Sequence, residues 1–297
     1  MTIIDAQLHE PAVSLPWASA DEATRNDVML ELQIGFMRAA GVDRAVLFPV
    51  DLAWGRRAVQ LRPDLFAIVP MITAGGALGG IDASAPNVEE VIAALAGEPG
   101  VVGVRVMRRL PARLGAGDRA PIAAFDRAIT ASAAHGLPMF ISSAGDLAPA
   151  IEIAESHPGL TLVIDHLGLA QPPEYERESP PFRSLADLLE LARHPNIALK
   201  LSGVPSLSEQ EYPFTDVWPH VRRVIDTFGP DRLMWGSDIS RIMGQVGFTH
   251  QLTSEPFAGQ HTYAEALHYV LHTDQLSAAE KEWILGGTVR KLLRWPD

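Results

Sequence analysis

The sequence predicts a single α/β domain, a (β/α)8 TIM barrel over residues 1–297, and three observations carry that reading. Short apolar, β-branched runs recur eight times. Helical stretches alternate with them. No G-x-G-x-x-G follows an early run, which argues against the dinucleotide-binding form of the competing open, doubly wound sheet.

The runs are "TIID" (2–5), "RAVLFPV" (44–50), "FAIVPMI" (66–72), "VVGVRVM" (101–107), "PMFISS" (138–143), "LTLVIDH" (160–166), "IALKLSG" (197–203) and "RLMWGSD" (232–238). Most read as strands buried on both faces, as a parallel sheet requires. Helical spacing appears in 26–41, which stops at Gly41, and in 87–100, which starts at Asn87. It appears again in 121–138, with a proline in its first turn and a stop at Gly136, and in 184–196 and 217–230. Three irregular stretches, 73–86, 169–182 and 240–261, each follow a strand. Loops in that position form the catalytic face of a barrel, so these are the expected walls and lid of a pocket.

Composition narrows the function. The chain is 47% hydrophobic and carries 24 Lys and Arg against 36 Asp and Glu, a net charge of −12. That balance argues against a nucleic-acid backbone as partner. With no cysteine there is no disulfide, no thiolate metal site and no thiol nucleophile. No signal peptide or membrane-spanning apolar stretch is apparent, so the expectation is a cytoplasmic protein acting on a small molecule, as a monomer or homodimer.

Polar residues at the C-terminal ends of barrel strands are the functional candidates. They are Gln7 and His9, Asp51, Arg105, Ser142 and Ser143, Asp165 and His166, Lys200 and Ser202, and Ser237 and Asp238. Residues two apart in a strand share a face, so Gln7 should look into the same space as His9, and Lys200 into the same space as Ser202. His135, His157 and His194 sit at helix ends beside Gly or Pro and read as capping or surface residues.

"IIDAQLHEP", "LVIDHLG", "ALKLSG" and "LMWGSDIS", in that order, resemble the amidohydrolase-related (amidohydrolase 2) branch of the amidohydrolase superfamily. Within that branch the likeness is to the group of 2-pyrone-4,6-dicarboxylate lactonase and the sugar-acid lactonases. "WILGGTVRKLLRW" resembles the group's closing helix, with Thr288 in the third place of its common "GGN". The resemblance implies a barrel that hydrolyses ester, lactone or amide bonds. Asp238 matches its catalytic aspartate, His9 the second histidine of the first-strand H-x-H pair, and His166 the histidine of "DHLG".

Gln7 departs from that pattern, since it stands where the first histidine of the pair would be. "FISSAGD" also offers only serines in place of a fifth-strand histidine. Too few ligands remain for a binuclear centre. His9, His166 and Asp238 could still hold one zinc or manganese ion as a two-histidine, one-carboxylate face. Some members of the lactonase group work without metal. In that case Asp238 is the general base, His9 and His166 stabilise the oxyanion, and Gln7 is a neutral donor or orients His9.

Arg105, followed by Arg108, Arg109, Arg113 and later Arg241, suggests a carboxylate on the substrate; ion pairing with the chain's many acids is the plain alternative. Lys200, Ser202 and Ser142 are further substrate-binding candidates. Trp54, with Trp17, Tyr175, Phe182, Phe214 and Phe248, is a candidate for an apolar pocket wall. The expected activity is hydrolysis of a lactone or related cyclic ester. A metal-dependent non-oxidative decarboxylase, an amidase or carbamate hydrolase, and a barrel that only binds its ligand are the alternatives.

Overall fold

The eight runs form eight parallel positions around one barrel. The computed structural model describes residues 1–11, 19–109, 119–172, 175–242, 245–246, 250–251 and 257–295, with backbone alone for 241, 245, 246, 250 and 251. The barrel strands are β1 (Ile4–Leu8), β2 (Arg44–Leu47), β3 in two halves (Phe66–Ile68 and Met71–Thr73) and β4 (Val104–Met107). They continue as β5 (Met139–Ile141), β6 (Leu162–Ile164), β7 (Ile197–Ser202) and β8 (Leu233–Gly236). Each pairs in parallel with its neighbour in the sequence.

β3 divides at Pro70, which has no N–H to give the ladder. Its first half pairs with β2 and its second with β4. The ring closes where the Asp238 N–H donates to the Gln7 carbonyl at 3.0 Å, tying the end of β8 to β1.

Alternation along the strands sorts side chains into two apolar layers. Ile4, Ala6, Val46, Phe48, Ala67, Val69, Phe140, Val163, Ala198 and Met234 form one cluster inside the barrel. Leu8, Leu47, Ile68, Val104, Ile141, Leu199 and Trp235 belong to the larger cluster shared with the surrounding helices. β7 shows the rule plainly: Ala198 joins the inner cluster, Leu199 and Leu201 the outer one. Lys200 and Ser202 therefore point inward on the same side as Ala198.

β1 departs from strict alternation. Its partners on β2 run Ile4↔Arg44, Asp5↔Ala45, then Leu8↔Leu47, so two residues of β1 stand opposite one of β2. Such a bulge re-aims side chains next to functional sites. Here it directs Gln7 into the barrel, where it meets Lys200, while Leu8 joins the outer layer.

The first strand and first helix differ from the sequence expectation. β1 runs on to Leu8, past the polar residues at which an apolar-run criterion stops it. The first helix, α1 (Glu22–Ala40), starts earlier because Asp21 caps it by accepting from the Thr24 N–H; Gly41, at φ 85°, ends it. α2 (Leu52–Leu61) is capped by Asp51, whose carboxylate accepts from the Ala53 and Trp54 N–H groups. Asp51, a candidate by its place after a strand, thus serves as a helix cap. Of the three expected pocket loops, 73–86 contains a short turn helix (Ala74–Gly79) and a two-residue strand (Ile81–Asp82). Much of 240–261 lies outside the described residues. Among the described residues no helix is long and apolar enough to cross a membrane.

Candidate active site

Asp238 follows β8, 1% exposed, and its carboxylate stands between two imidazoles. Oδ1 lies 3.6 Å from His9 Nε2 and Oδ2 lies 3.7 Å from His166 Nδ1. Both Asp238 (φ 52°) and His166 (φ 56°) hold left-handed backbone conformations. L-residues leave that region readily because of Cβ crowding, at roughly 1–2 kcal/mol per residue. Its appearance at two residues that face each other marks a place where side-chain aim outweighs backbone comfort.

The protonation of His9 follows from its partners. Nδ1 is 2.6 Å from the Phe48 carbonyl, which can only accept, so Nδ1 carries the proton. Nε2 then presents a lone pair, and Gln7 Nε2 sits 3.1 Å from it. The Gln7 amide is oriented by its other end, where Oε1 accepts from Lys200 Nζ. Burial pushes the His9 pKa down to about 4, against the opposing pull of the Asp238 charge, so the imidazole is neutral near pH 7. Gln7 and His9 do share one space, and the glutamine bridges a lysine to a histidine.

Beneath this layer lies a buried ion cluster. Lys200 Nζ is 2.8 Å from Asp165 Oδ1, and Arg105 Nε donates to Asp165 Oδ2 at 2.7 Å. Burial alone would raise the Asp165 pKa, but the Arg105 and Lys200 charges overcome it and hold the carboxyl well below the usual range. Burial lowers Lys200 to about 8, with Asp165 working against the shift. The ammonium also lies 3.6 Å from the Phe48 ring centre and 4.6 Å from that of Phe140.

His166 is oriented from β7, with Nδ1 2.8 Å from Ser202 Oγ. Ser142 is half-buried just past the end of β5. Arg108 reaches Asp146 at 2.8 Å and Arg119 joins the same carboxylate at 3.0 Å. The Arg109 guanidinium lies 5.8 Å from the Tyr175 ring centre. Arg113, Trp17 and Phe248 fall outside the described residues, as does the side chain of Arg241.

Trp54 is placed differently from its expected pocket wall. It is 1% exposed within the outer apolar layer between strands and helices, because the first turn of α2 directs it there. Phe214 is likewise in the outer cluster, and Phe182 stacks on His220 with ring centres 4.3 Å apart.

Two supporting residues lie outside the set of strand-end candidates. Asp5 is fully buried and accepts from Gln7 N–H at 2.9 Å, Ser237 N–H at 2.9 Å and Ser237 Oγ at 2.5 Å. Glu10 accepts from the Val50 and Asp51 N–H groups at 3.1 and 2.6 Å, fixing the loop after β2 beside His9. An acid breaking into an apolar strand, as Asp5 does, was the available clue.

The donor set can be tested against a metal ion. Among the described residues, no group of three or more His, Cys, Asp or Glu is arranged to hold one. The His9 Nε2 lone pair, which an ion would need, already receives the Gln7 N–H. His166 Nδ1, the nitrogen that faces Asp238, is engaged with Ser202. The residues in this arrangement do not fit a metal.

An acid closing the eighth strand, with imidazoles from the first and sixth, is the layout of an amidohydrolase-type barrel. A family model with the description Amidohydrolase (Amidohydro_2) matches residues 4–295, and the chain belongs to that family. Residues of this chain are 34% identical over 173 positions to L-fucono-1,5-lactonase from Burkholderia ambifaria, covering 57% of each chain. They are 35% identical over 88 positions to 4-sulfomuconolactone hydrolase from Hydrogenophaga intermedia, covering 29% of this chain and 27% of that one. The chain thus matches little more than half the length of the first relative and about a quarter of the second.

Among solved structures, an amidohydrolase from Burkholderia multivorans with bound zinc superposes with a TM-score of 0.72 at 21% identity over 100% of both chains. A structure from Pseudomonas putida assigned as a 2-pyrone-4,6-dicarboxylic acid hydrolase gives 0.69 at 22% identity, covering 100% of this chain and 98% of that one. The 5-carboxyvanillate decarboxylase of Sphingomonas paucimobilis gives 0.57 at 16%, covering 99% of each. These likenesses establish the barrel fold.

Proposed function

We propose that this barrel hydrolyses a lactone bearing a carboxylate or similarly anionic group, with Asp238 as general base. The observation that carries the reading is the buried Asp238 carboxylate held between His9 and His166 at the mouth of the barrel. Its partial sequence likeness to two lactone hydrolases supports the same chemistry.

Asp238 takes a proton from water as the water oxygen attacks the acyl carbon. The ring C–O bond then breaks, and the proton on Asp238 passes to the departing oxygen, leaving a hydroxy acid. The oxyanion needs a donor. His9 cannot supply one from Nε2, which is an acceptor, so the assignment of both imidazoles as oxyanion donors changes. His166 can: with the Ser202 O–H donating to Nδ1, its proton sits on Nε2 and serves the oxyanion. One such donor contributes about 3 kcal/mol to the transition state.

Arg105 supports the anionic substrate. Asp165 holds its Nε, while neither terminal nitrogen has a hydrogen-bond partner among the described residues. A guanidinium anchored at one edge and open at the fork suits bidentate recognition of a carboxylate.

The test is hydrolysis of sugar 1,5-lactones, muconolactones and 2-pyrone-4,6-dicarboxylate, followed by proton release after dialysis against chelator. Wild type should turn over at least one of them. Asp238→Asn should lose on the order of 10²- to 10⁴-fold in kcat. Turnover that survives the substitution would remove Asp238 as the base.

A further inference from the structure

Two contacts agree on where His9 keeps its proton: the Phe48 carbonyl at Nδ1 and the Gln7 amide at Nε2. Lys200 Nζ, 0% exposed, has only N–H donors, so the Gln7 oxygen must face it and the Gln7 NH2 must face His9. Reversing the amide would set donor against donor at Lys200. It would also offer an oxygen to His9 Nε2, which would then have to carry a hydrogen. That arrangement competes with the present one, in which Nδ1–H donates to the Phe48 carbonyl at 2.6 Å.

We propose that Lys200 is a positioning residue for His9, acting through Gln7. Its ammonium is immobilised by Asp165 at 2.8 Å and pressed against the Phe48 ring, so it cannot turn away to release the amide. The chain Asp165, Lys200, Gln7, His9, Phe48 is a directed series of donors and acceptors with one self-consistent arrangement of protons. Its end product is a His9 ring with the proton on Nδ1 and a covered Nε2. Asp238 stands 3.6 Å from that nitrogen, so the orientation of the ring sets what the carboxylate faces on this side.

This role differs from substrate binding, because the Lys200 ammonium is 0% exposed and committed to Asp165 and Gln7. It also gives position 7 a reason to be glutamine. Glutamine offers a carbonyl to the lysine and an N–H to the histidine with no protonation equilibrium of its own; a second histidine could accept at one nitrogen and donate from the other only in its neutral form.

The inference rests on Asp238 as the base for its catalytic consequence, but the proton placement is measurable without any substrate. In histidine-15N-labelled protein, the His9 signals are assigned by their loss in His9→Asn and should report the Nδ1–H tautomer. Lys200→Met should move His9 toward the Nε2–H form and lower kcat about 10- to 100-fold, the range seen when a histidine's orienting partner is removed. KM should stay within a few-fold. Lys200→Gln, which keeps an N–H donor but not the charge, should restore the tautomer and most of the kcat.

Gln7→Glu covers the case in which Lys200→Met does not fold. It keeps Lys200 paired with Asp165 and presents only acceptors to His9, so a hydrogen should appear on Nε2, as the Nε2–H tautomer or as the imidazolium. An Nε2 that stays without a hydrogen in either variant overturns the proposal. A tautomer change in protein that hydrolyses no lactone would uphold the positioning role and remove the proposed reaction instead.

Discussion

Arg105 shows how a single guanidinium divides between structure and recognition. Its Nε is committed to Asp165, so the plain ion-pairing alternative describes one edge of the group, while the fork keeps its capacity for an anion. Arg105→Lys retains charge beside Asp165 and loses the planar fork. With a carboxylate-bearing lactone we expect KM to rise about 10-fold, the equivalent of ~1.4 kcal/mol, and kcat to change little. Steady-state kinetics on matched charged and neutral lactones checks this; equal losses on both would assign Arg105 to the fold alone. The residues near Asp238 could be found from the sequence because period-two alternation and barrel topology bring strand ends together. What Gln7 does could not. Its oxygen is claimed by Lys200, 193 positions away, and its histidine is turned by the backbone carbonyl of Phe48, which no side-chain pattern announces. Trp54 was misplaced for a related reason: proximity to a strand end says nothing about which side of the next helix a ring will take.

The seam between β8 and β1 is the element on which the site depends. Gly236 lies where a Cβ would come 2.8 Å from Gln7 Cβ and 3.1 Å from Gln7 N. The backbone nitrogen cannot step aside without moving the bulge that aims Gln7. Gly236→Ala should therefore cost about 1–3 kcal/mol by overpacking and lower kcat by displacing Gln7. Urea denaturation and kcat on one preparation check it, and wild-type values in both would mean that β1 yields freely. The strands themselves were predictable because a strand buried on both faces must be a continuous apolar run. β1 was expected at 2–5 and found at Ile4–Leu8 because Asp5 and Gln7 look like interruptions. They are tolerated inside the strand only because Ser237 and Lys200, both distant in sequence, supply their partners. The rule fails where the strand meets the site.

Across the whole molecule, buried titratable groups at this seam set opposing pH dependences. Burial raises Asp5 from 3.8 to about 6 and Glu10 from 4.5 to about 7. Between each pair of values the folded state holds more protons than the unfolded chain, so stability falls as pH rises through that window. His9 works the other way: lowered from 6.5 to about 4, it makes the unfolded chain the better proton binder, and stability rises with pH over that range. With two groups against one, the net curve for wild type should fall by roughly 1.4 kcal/mol per pH unit between about pH 4.5 and 6, and only a difference measurement separates its parts. Asp5→Asn keeps a carbonyl oxygen for the Ser237 and Gln7 N–H groups but cannot ionise. Relative to wild type it should gain stability steadily from about pH 4 to pH 6, by on the order of 2 kcal/mol, and the gain should level off above that. Urea denaturation of both proteins at half-unit steps from pH 4.5 to 7.5 measures it. A difference that does not vary with pH would mean Asp5 binds its proton equally in the folded and unfolded chain. The Ser237 and Gln7 hydrogen bonds would then fully offset the burial of its charge, and the seam would be held by an ionised carboxylate at every pH in the range.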